Sequence, residues 1–113
     1  MKIIYKDKTK RFVNSKACFG FEYPFKDKDI NGAVIELKGR YPDKGRVVNL
    51  KCKELVYIIK GSGKIVVEGK QVEFSKGDLI LLKPNEKYYW QATCLILAVC
   101  VPAFNPNQHR HVE

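Results

Sequence analysis

Two stretches of sequence decide the fold: KCKELVYIIKGSG at residues 51–63 and GDLILLKPNEKY at residues 77–88. Each contains a short run of Val, Ile, Leu and Tyr between Gly, Pro or Asn residues, which is the composition of a β-strand between turns. Gly and Pro recur at short intervals from Gly32 to Pro84, and no segment keeps a helical period. The residues therefore predict an all-β domain, either a sandwich or a barrel.

Turn signals divide this β pattern into short strands. Gly61-Ser62-Gly63 is expected to form one hairpin turn and Glu68-Gly69-Lys70 the next, because glycine adopts the positive φ angles of tight turns. The expected strands lie near residues 33–38, 46–50, 54–60, 63–68, 71–74, 79–82, 87–91 and 94–101.

The first 30 residues show a weaker strand pattern, with short edge strands expected at Ile3–Tyr5 and Arg11–Val13. An aromatic stripe follows, in which every second residue is Phe or Tyr. The stripe either closes one end of the barrel, packs in the core, or faces a second subunit, and on the last reading the protein is a homodimer. The stripe consists of Phe19, Phe21, Tyr23 and Phe25.

The chain has 113 residues and a formal net charge of +9. This is the size of one domain, with residues 1–30 as N-terminal strands that can form a dimer and residues 102–113 as a surface tail. The longest uncharged apolar stretch, Thr93–Phe104, is about half the length of a spanning helix. With no secretory signal in the first residues, we expect a soluble, cytoplasmic protein without a membrane partner. The lysines are dispersed, so no nucleic-acid partner is expected.

The four cysteines are Cys18, Cys52, Cys94 and Cys100, and no two of them form a C-x-x-C pair. This spacing does not indicate a zinc knuckle or a thioredoxin-like site. Reduced thiols are expected in a cytoplasmic protein. Cys94 and Cys100 lie in an apolar run and are expected in the core.

The two opening stretches resemble the paired motifs of the cupin superfamily, of the RmlC-like type. In the first motif of that family a Gly follows a Glu as Gly61 follows Glu54 here, and in the second a Gly-Asp pair opens a strand as Gly77-Asp78 does. The resemblance implies an antiparallel double-stranded β-helix, the jelly-roll or cupin barrel, which is commonly dimeric.

A subset of small cupins is more similar still. These proteins carry a G-x-Y-P turn, then Gly, Asn and C-x-E before a long strand. This chain also shares their Tyr-Trp pair and the sequence of their C-terminal tail. The matching residues are Gly39, Tyr41, Pro42, Gly45, Asn49, Cys52, Glu54, Tyr89, Trp90 and Pro102–His109.

The metal-binding histidines of the family are missing. Their positions fall at Val48, Leu50 and Tyr88, so only Glu54 of the usual three-His, one-Glu set remains. One carboxylate does not hold a transition metal, and we expect no metal and no cofactor. The only histidines, His109 and its neighbour two residues on, lie in the tail and are expected to be solvated.

The cupin register places Val48, Leu50, Cys52 and Glu54 on the inner face of the barrel. Tyr88 and Trp90 are expected to face inward as well, from the second motif. The predicted ligand-binding residues are Tyr41, Asn49, Glu54, Tyr88 and Trp90, each of which has a purely structural alternative such as a lysine partner for Glu54. One hypothesis is a metal-independent cupin that binds a small organic ligand in its barrel. The other is a metal-independent sugar-nucleotide isomerase or epimerase that uses Glu54 and Tyr88 as an acid–base pair.

Overall fold

Strands form along almost the whole chain, because apolar and polar side chains alternate and every second side chain of a strand points to the same face. The computed structural model describes all residues, Met1–Glu113, and contains no α-helix. Single 3₁₀ turns lie at Lys6–Lys8 and Pro106–Gln108, and no helix could cross a bilayer. The strands are β1 (Lys10–Ser15), β2 (Cys18–Tyr23), β3 (Asn31–Tyr41), β4 (Arg46–Asn49), β5 (Lys53–Val67), β6 (Lys70–Ser75), β7 (Leu79–Leu82), β8 (Lys87–Val101) and β9 (His109–Val112).

The two longest strands, β5 and β8, form the middle of the sheet. They pair antiparallel from Lys53 opposite Val101 to Val67 opposite Tyr88. The other edge of β8 continues into β3, β2 and β1, and it also pairs with β4, which pairs with β9. The free edge of β5 pairs with β6 and β7. Every pair is antiparallel and the sheet curls into a barrel, so the predicted all-β jelly-roll is confirmed.

The predicted hairpin at residues 61–63 is wrong. β5 continues through these residues without reversing, and its pairing register with β8 shifts once just before them, between Ile58 and Lys60. Gly61 has a φ of 89°, and a Cβ on Gly63 would lie 2.3 Å from the Cβ of Ala92. The glycines therefore permit a bend and a close approach of the two long strands rather than a reversal. The expected strands at 87–91 and 94–101 are likewise a single strand, β8.

The next predicted turn is confirmed. β5 and β6 are joined by Glu68 and Gly69, whose φ angles of 49° and 80° are both positive. Two positive φ angles define the type I′ turn, whose twist matches that of the flanking strands.

The two ends of the chain differ from their expected roles. Arg11–Val13 lies within β1, as predicted, whereas Ile3–Tyr5 is not a strand. The segment from Pro102 does not simply wrap the surface, because it contributes β9, which extends the sheet beyond β4. All four cysteines are buried and unbridged.

Candidate functional site

A cavity of about 520 Å³ lies inside the barrel, next to β2, β3 and the C-terminal segment. Most of its wall is apolar and includes Leu37, Ile96 and Ala98. A few polar groups reach it from separate strands, which is the usual composition of a small-molecule site. From β3, β5, β8 and β9 these are Tyr41, Glu54, Tyr88 and His109, while Lys10, Arg11, Asn14, Glu22 and Asn31 line the cavity from β1 to β3.

Glu54 is the buried carboxyl of the site. Alternation along β5 turns it inward with Val56, and only 8% of its surface is exposed. Its hydrogen-bond partner is Asn49, whose Nδ2 donates to Oε1 over 3.1 Å. Burial raises the pKa of the Glu54 carboxyl, and the bond from Asn49 offsets part of that rise. The alternative of a lysine partner is not observed, since the one ion pair of the structure joins Lys38 and Glu36.

Asn49 links Glu54 to the C-terminal segment. Its Oδ1 lies 3.1 Å from Gln108 Nε2 and 2.8 Å from His109 Nδ1. The orientation of Gln108 is set by the backbone, because its Oε1 accepts from the N–H groups of Lys51 and Cys52. Gln108 must then present Nε2 to Asn49, so the atom of Asn49 that meets it is Oδ1.

These orientations determine where the proton of His109 lies. Oδ1 of Asn49 only accepts, so Nδ1 of His109 carries the hydrogen and Nε2 is left with a lone pair. The Tyr41 hydroxyl lies 3.1 Å from Nε2 and donates to it. Burial, and then the charge of His111, lower the pKa of His109 to about 4, so the imidazole is neutral at pH 7.

Tyr41 ends β3 and is almost fully buried beside the cavity. Its ring is parallel to that of His109, with an interplanar angle of 5°. Burial raises the pKa of its hydroxyl, and the charges of Cys18 and Glu54 raise it further. Tyr41, His109, Asn49 and Glu54 thus form one continuous hydrogen-bond chain, which we call the proton chain.

Tyr88 and Trp90 face the cavity from β8, as predicted. Their rings meet edge to face, with centroids 6.4 Å apart, and Trp90 also packs edge to face against Phe74 on its other side. Tyr88 makes no hydrogen bond to Glu54, whose Oε1 accepts from Asn49. Burial, and then the charge of Glu54, raise the pKa of Tyr88 well above its ordinary value.

Four of the five predicted ligand-binding residues therefore line one cavity, and Asn49 lies behind Glu54. Leu50 was expected to face inward and does not, since 41% of its surface is exposed. His109 was expected to be solvated and instead lines the cavity. Its resemblance to the tail of small cupins was the only signal in the sequence, and only the pairing of Asn49 with His109 across β4 and β9 reveals its place.

The site does not fit the metal that many cupins hold. The family's histidine positions are occupied by a buried valine, the exposed Leu50 and Tyr88. Nowhere do three or more His, Cys, Asp or Glu side chains converge. Glu54 and His109 are joined through Asn49 rather than facing a common point, so the donor set lacks the several ligands that a transition metal needs.

The thiols beside the site are not activated nucleophiles. Cys18 lines the cavity, and burial raises the pKa of its thiol to about 11, so it stays protonated at neutral pH. The interaction with Cys52, and then burial, raise the pKa of Cys100, whereas the same interaction lowers the pKa of Cys52. Cys52 is buried and does not line the cavity.

The barrel, the two strand motifs and the inward carboxyl define the class of protein. The resemblance to the cupin superfamily is confirmed: a model of the EutQ-like cupin domain matches residues 42–96, about half of the chain. Among solved structures, Pac13, described as a unique nucleoside dehydratase, superposes with a TM-score of 0.89 at 19% identity, covering 100% of this chain and 92% of that one.

Further similar structures support the same fold. A Streptomyces PAC13 variant in complex with uridine matches with a TM-score of 0.89 at 19% identity, over 100% and 92% of the two chains. The polyketide cyclase RemF from Streptomyces resistomycificus matches at 0.76 and 18%, over 100% and 86%. An RmlC-like cupin from Shewanella frigidimarina matches at 0.74 and 16%, over 91% and 92%. No curated protein matches the sequence significantly.

Proposed function

We propose that this cupin binds a small organic ligand inside its barrel without a metal ion. The observation that carries the proposal is the cavity of about 520 Å³, in which a mostly apolar wall surrounds a carboxyl, two tyrosines, a tryptophan and a histidine. This volume lies within the range of small-molecule sites, and the few polar groups are those that orient a ligand.

The chemistry of the wall favours a ligand with a flat or sugar ring and several hydroxyl groups. Trp90 and Tyr88 offer ring faces and edges for stacking. Glu54 and Tyr41 offer hydrogen-bonding groups, and burial raises the pKa of each. A nucleoside combines these features, and the similar barrel of PAC13 is known with uridine.

Titration with uridine, followed by calorimetry and by amide NMR, tests this proposal. We expect shifts in residues that line the cavity and weaker binding in Trp90→Leu, because stacking is lost. Glu54→Gln should also change the affinity, whereas Glu36→Gln, on the outer face, is the matched control. Failure of uridine to bind, together with unchanged spectra for related ribosides and free sugars, would remove the proposal.

A second candidate function is acid–base catalysis on a sugar or nucleoside, such as isomerisation, epimerisation or dehydration. It is favoured by the position of Glu54, a buried carboxyl with a raised pKa that faces the cavity together with Tyr88. A buried carboxyl whose pKa is raised can serve as a general acid. The matching test is turnover of sugar nucleotides and nucleosides, with Glu54→Gln expected to abolish it and Glu36→Gln to retain it.

We also propose that two copies pair through the outer face of the sheet. In the middle of this face, apolar side chains stand side by side across five strands: Phe21, Val34, Leu97, Tyr57 and Leu79. A second row, Val99, Leu55 and Leu81, adjoins it. Leu79 and Leu81 are 60% and 52% exposed, and a contiguous apolar patch of this kind marks an interaction surface. We call these eight residues the outer apolar face.

Two residues of the aromatic stripe lie on the same outer side of the sheet. Phe19 and Phe21 point away from the barrel, because their neighbours Cys18 and Gly20 are the buried residues of β2. Two equal barrels related by a twofold axis would cover each other's outer apolar face.

Light scattering tests the dimer. The native protein is expected at about twice the 13.0 kDa of one chain. Leu97→Lys, at the centre of the face, should yield monomers, because it places a charge in the apolar interface. Val72→Lys, at an exposed valine of β6 away from these rows (42%, against 36% for Leu97), is the control. A monomeric native protein would show that the outer apolar face does not pair two copies.

A further inference from the structure

We infer that the C-terminal segment completes an acid–base site, in which Tyr41 and His109 remove a proton from the ligand and Glu54 returns one to a leaving hydroxyl. The substrate class is a sugar-derived aldehyde or ketone with a hydroxyl on the β carbon. The inference rests on the proposed binding of such a ligand in the barrel, and it adds a base that the pair of Glu54 and Tyr88 lacks.

The fold holds the C-terminal segment in a fixed position. β9 pairs with β4 so that His109 lies opposite Asn49. Gln108 anchors the segment further, because its backbone oxygen accepts from the N–H of Leu50 over 2.8 Å and its side chain holds two further N–H groups. The pairing with β4 and the bonds of Gln108 both restrain this strand, so a base that it carries is held in position for proton transfer.

The direction of the hydrogen bonds gives each group its role. Tyr41 donates its only proton to Nε2 of His109, so the lone pairs of its oxygen remain free to accept a proton from a ligand in the cavity. His109 receives the tyrosine proton at Nε2. Its Nδ1 keeps its own proton, which it donates to Oδ1 of Asn49. Because burial disfavours a tyrosinate, the two transfers through Tyr41 must occur together.

The reaction balances without an oxidant or a metal. The C–H bond beside the carbonyl breaks, its proton joins the oxygen of Tyr41, the former tyrosine proton joins Nε2, and the electron pair stays on the substrate as an enolate. The C–O bond to the β-hydroxyl then breaks as Glu54 gives its proton to that oxygen, and water leaves. The product is an unsaturated carbonyl compound. Glu54 is left as a carboxylate and His109 as an imidazolium, and solvent exchange restores both.

Other groups around His109 do not replace this role. His111 approaches it edge to face, with centroids 6.2 Å apart, but is exposed. Tyr41 faces it from β3, and Glu54 lies beyond Asn49 on β5. Lys10, Arg11, Cys18 and Glu22 line the same cavity from β1 and β2. Of the charged and titratable groups around His109, only His111 adds to burial in lowering its pKa.

The test uses erythrulose, a four-carbon ketose with a hydroxyl on the β carbon, in D₂O. Proton NMR follows exchange of the C–H beside the carbonyl, which reports the base alone. We expect exchange by the native protein, with a rate that is unchanged down to pH 5.5, because a base with a pKa near 4 is still neutral there. A free histidine would be mostly protonated at that pH.

The variants separate this base from a structural histidine. Tyr41→Phe and His109→Gln are each expected to lower the exchange rate by about a hundredfold or more, the usual worth of a general base. His111→Gln, two residues along the same strand, should keep the rate. Tyr41→Phe retains the ring beside His109, so it guards against loss of folding in His109→Gln.

Uridine binding distinguishes the ways in which the inference can fail. If uridine binds but the native protein does not exchange erythrulose, the base is refuted and the proposed binding function stands. If exchange persists in folded His109→Gln or Tyr41→Phe, the assignment of these residues is wrong. If uridine does not bind and no exchange occurs, the proposed function and the inference fail together.

Discussion

The two sides of the barrel interior are built from the same long strands and end up chemically opposite. On the side closed by β6 and β7, the inward residues of β5 and β8 pack into the apolar core and do not line the cavity. On the side closed by β2, β3 and the C-terminal segment, they face the cavity and the proton chain. The packed side includes Val56, Ile58, Ile65, Phe74, Leu82 and Ala92.

The difference comes from what covers each side rather than from the long strands themselves. β6 and β7 contribute Phe74 and Leu82, which fill the space. The C-terminal segment contributes Gln108 and His109, whose polar atoms must be satisfied and which leave room beside them. The packed side therefore carries stability, and the open side carries the chemistry that we propose.

Truncation of one inward leucine on each side gives the largest expected effect. Leu82 lies on β7 at the packed side and Leu37 lies on β3 beside the cavity, and they are 2% and 1% exposed. Leu82→Ala should lower the free energy of unfolding by about 2–5 kcal/mol, because it leaves a new hole in a filled core. Leu37 already borders the cavity, so Leu37→Ala should cost less. Equal losses in urea unfolding would contradict the distinction between the two sides.

Loss of the Gln108 anchor should have the next largest effect. Gln108→Leu removes the acceptor of two backbone N–H groups, and leaving buried donors unsatisfied costs about 1–3 kcal/mol. NMR should also show the pKa of His109 moving up towards its ordinary value as the segment loosens. Gln91→Leu, at an exposed position of β8, is the control. A low His109 pKa retained in Gln108→Leu would show that the anchor does not position the histidine.

Glu54→Gln should stabilise the protein above about pH 4.5, by an amount that grows with pH. The pKa of Glu54 is higher in the folded state than in the unfolded state. The neutral carboxyl is therefore compatible with the fold at low pH, and the protein loses stability as the pH rises through the folded-state pKa. Glutamine can keep the bond to Asn49 and does not ionise. Thermal melts of the two proteins between pH 4 and 8 measure the difference. A difference that does not change with pH would mean that the carboxyl is not held in its neutral form.

The smallest expected effect is the titration of His109. Its folded-state pKa of about 4 lies below the ordinary value, so the unfolded chain binds the proton first and stability falls as the pH drops from about 6.5 to 4. His109→Gln should lack this slope, whereas His111→Gln should keep it. Melts of the three proteins across that window provide the check.

Local sequence was enough to predict the all-β fold. The inward side of β5 at Glu54 and the inward pair Tyr88 and Trp90 were predicted once the resemblance to cupins had set the register of the strands. Strand alternation and the turn at Gly69 are set by neighbouring residues and do not depend on how distant parts of the chain pack. The absence of imidazoles at the family's metal positions is likewise read directly from the residues present.

Only the folded chain decided that residues 61–63 continue a strand and that His109 lines the cavity. Glycine permits either a reversal or a close crossing, and the choice depends on the partner strand that packs against it. His109 and Asn49 are 60 residues apart in sequence, and no local period reports which strands will pair across that distance. β9 places His109 in a partly buried position beside β4. Buried polar groups form hydrogen bonds with one another, and this environment sets the tautomer of His109, its low pKa and its bond to Tyr41.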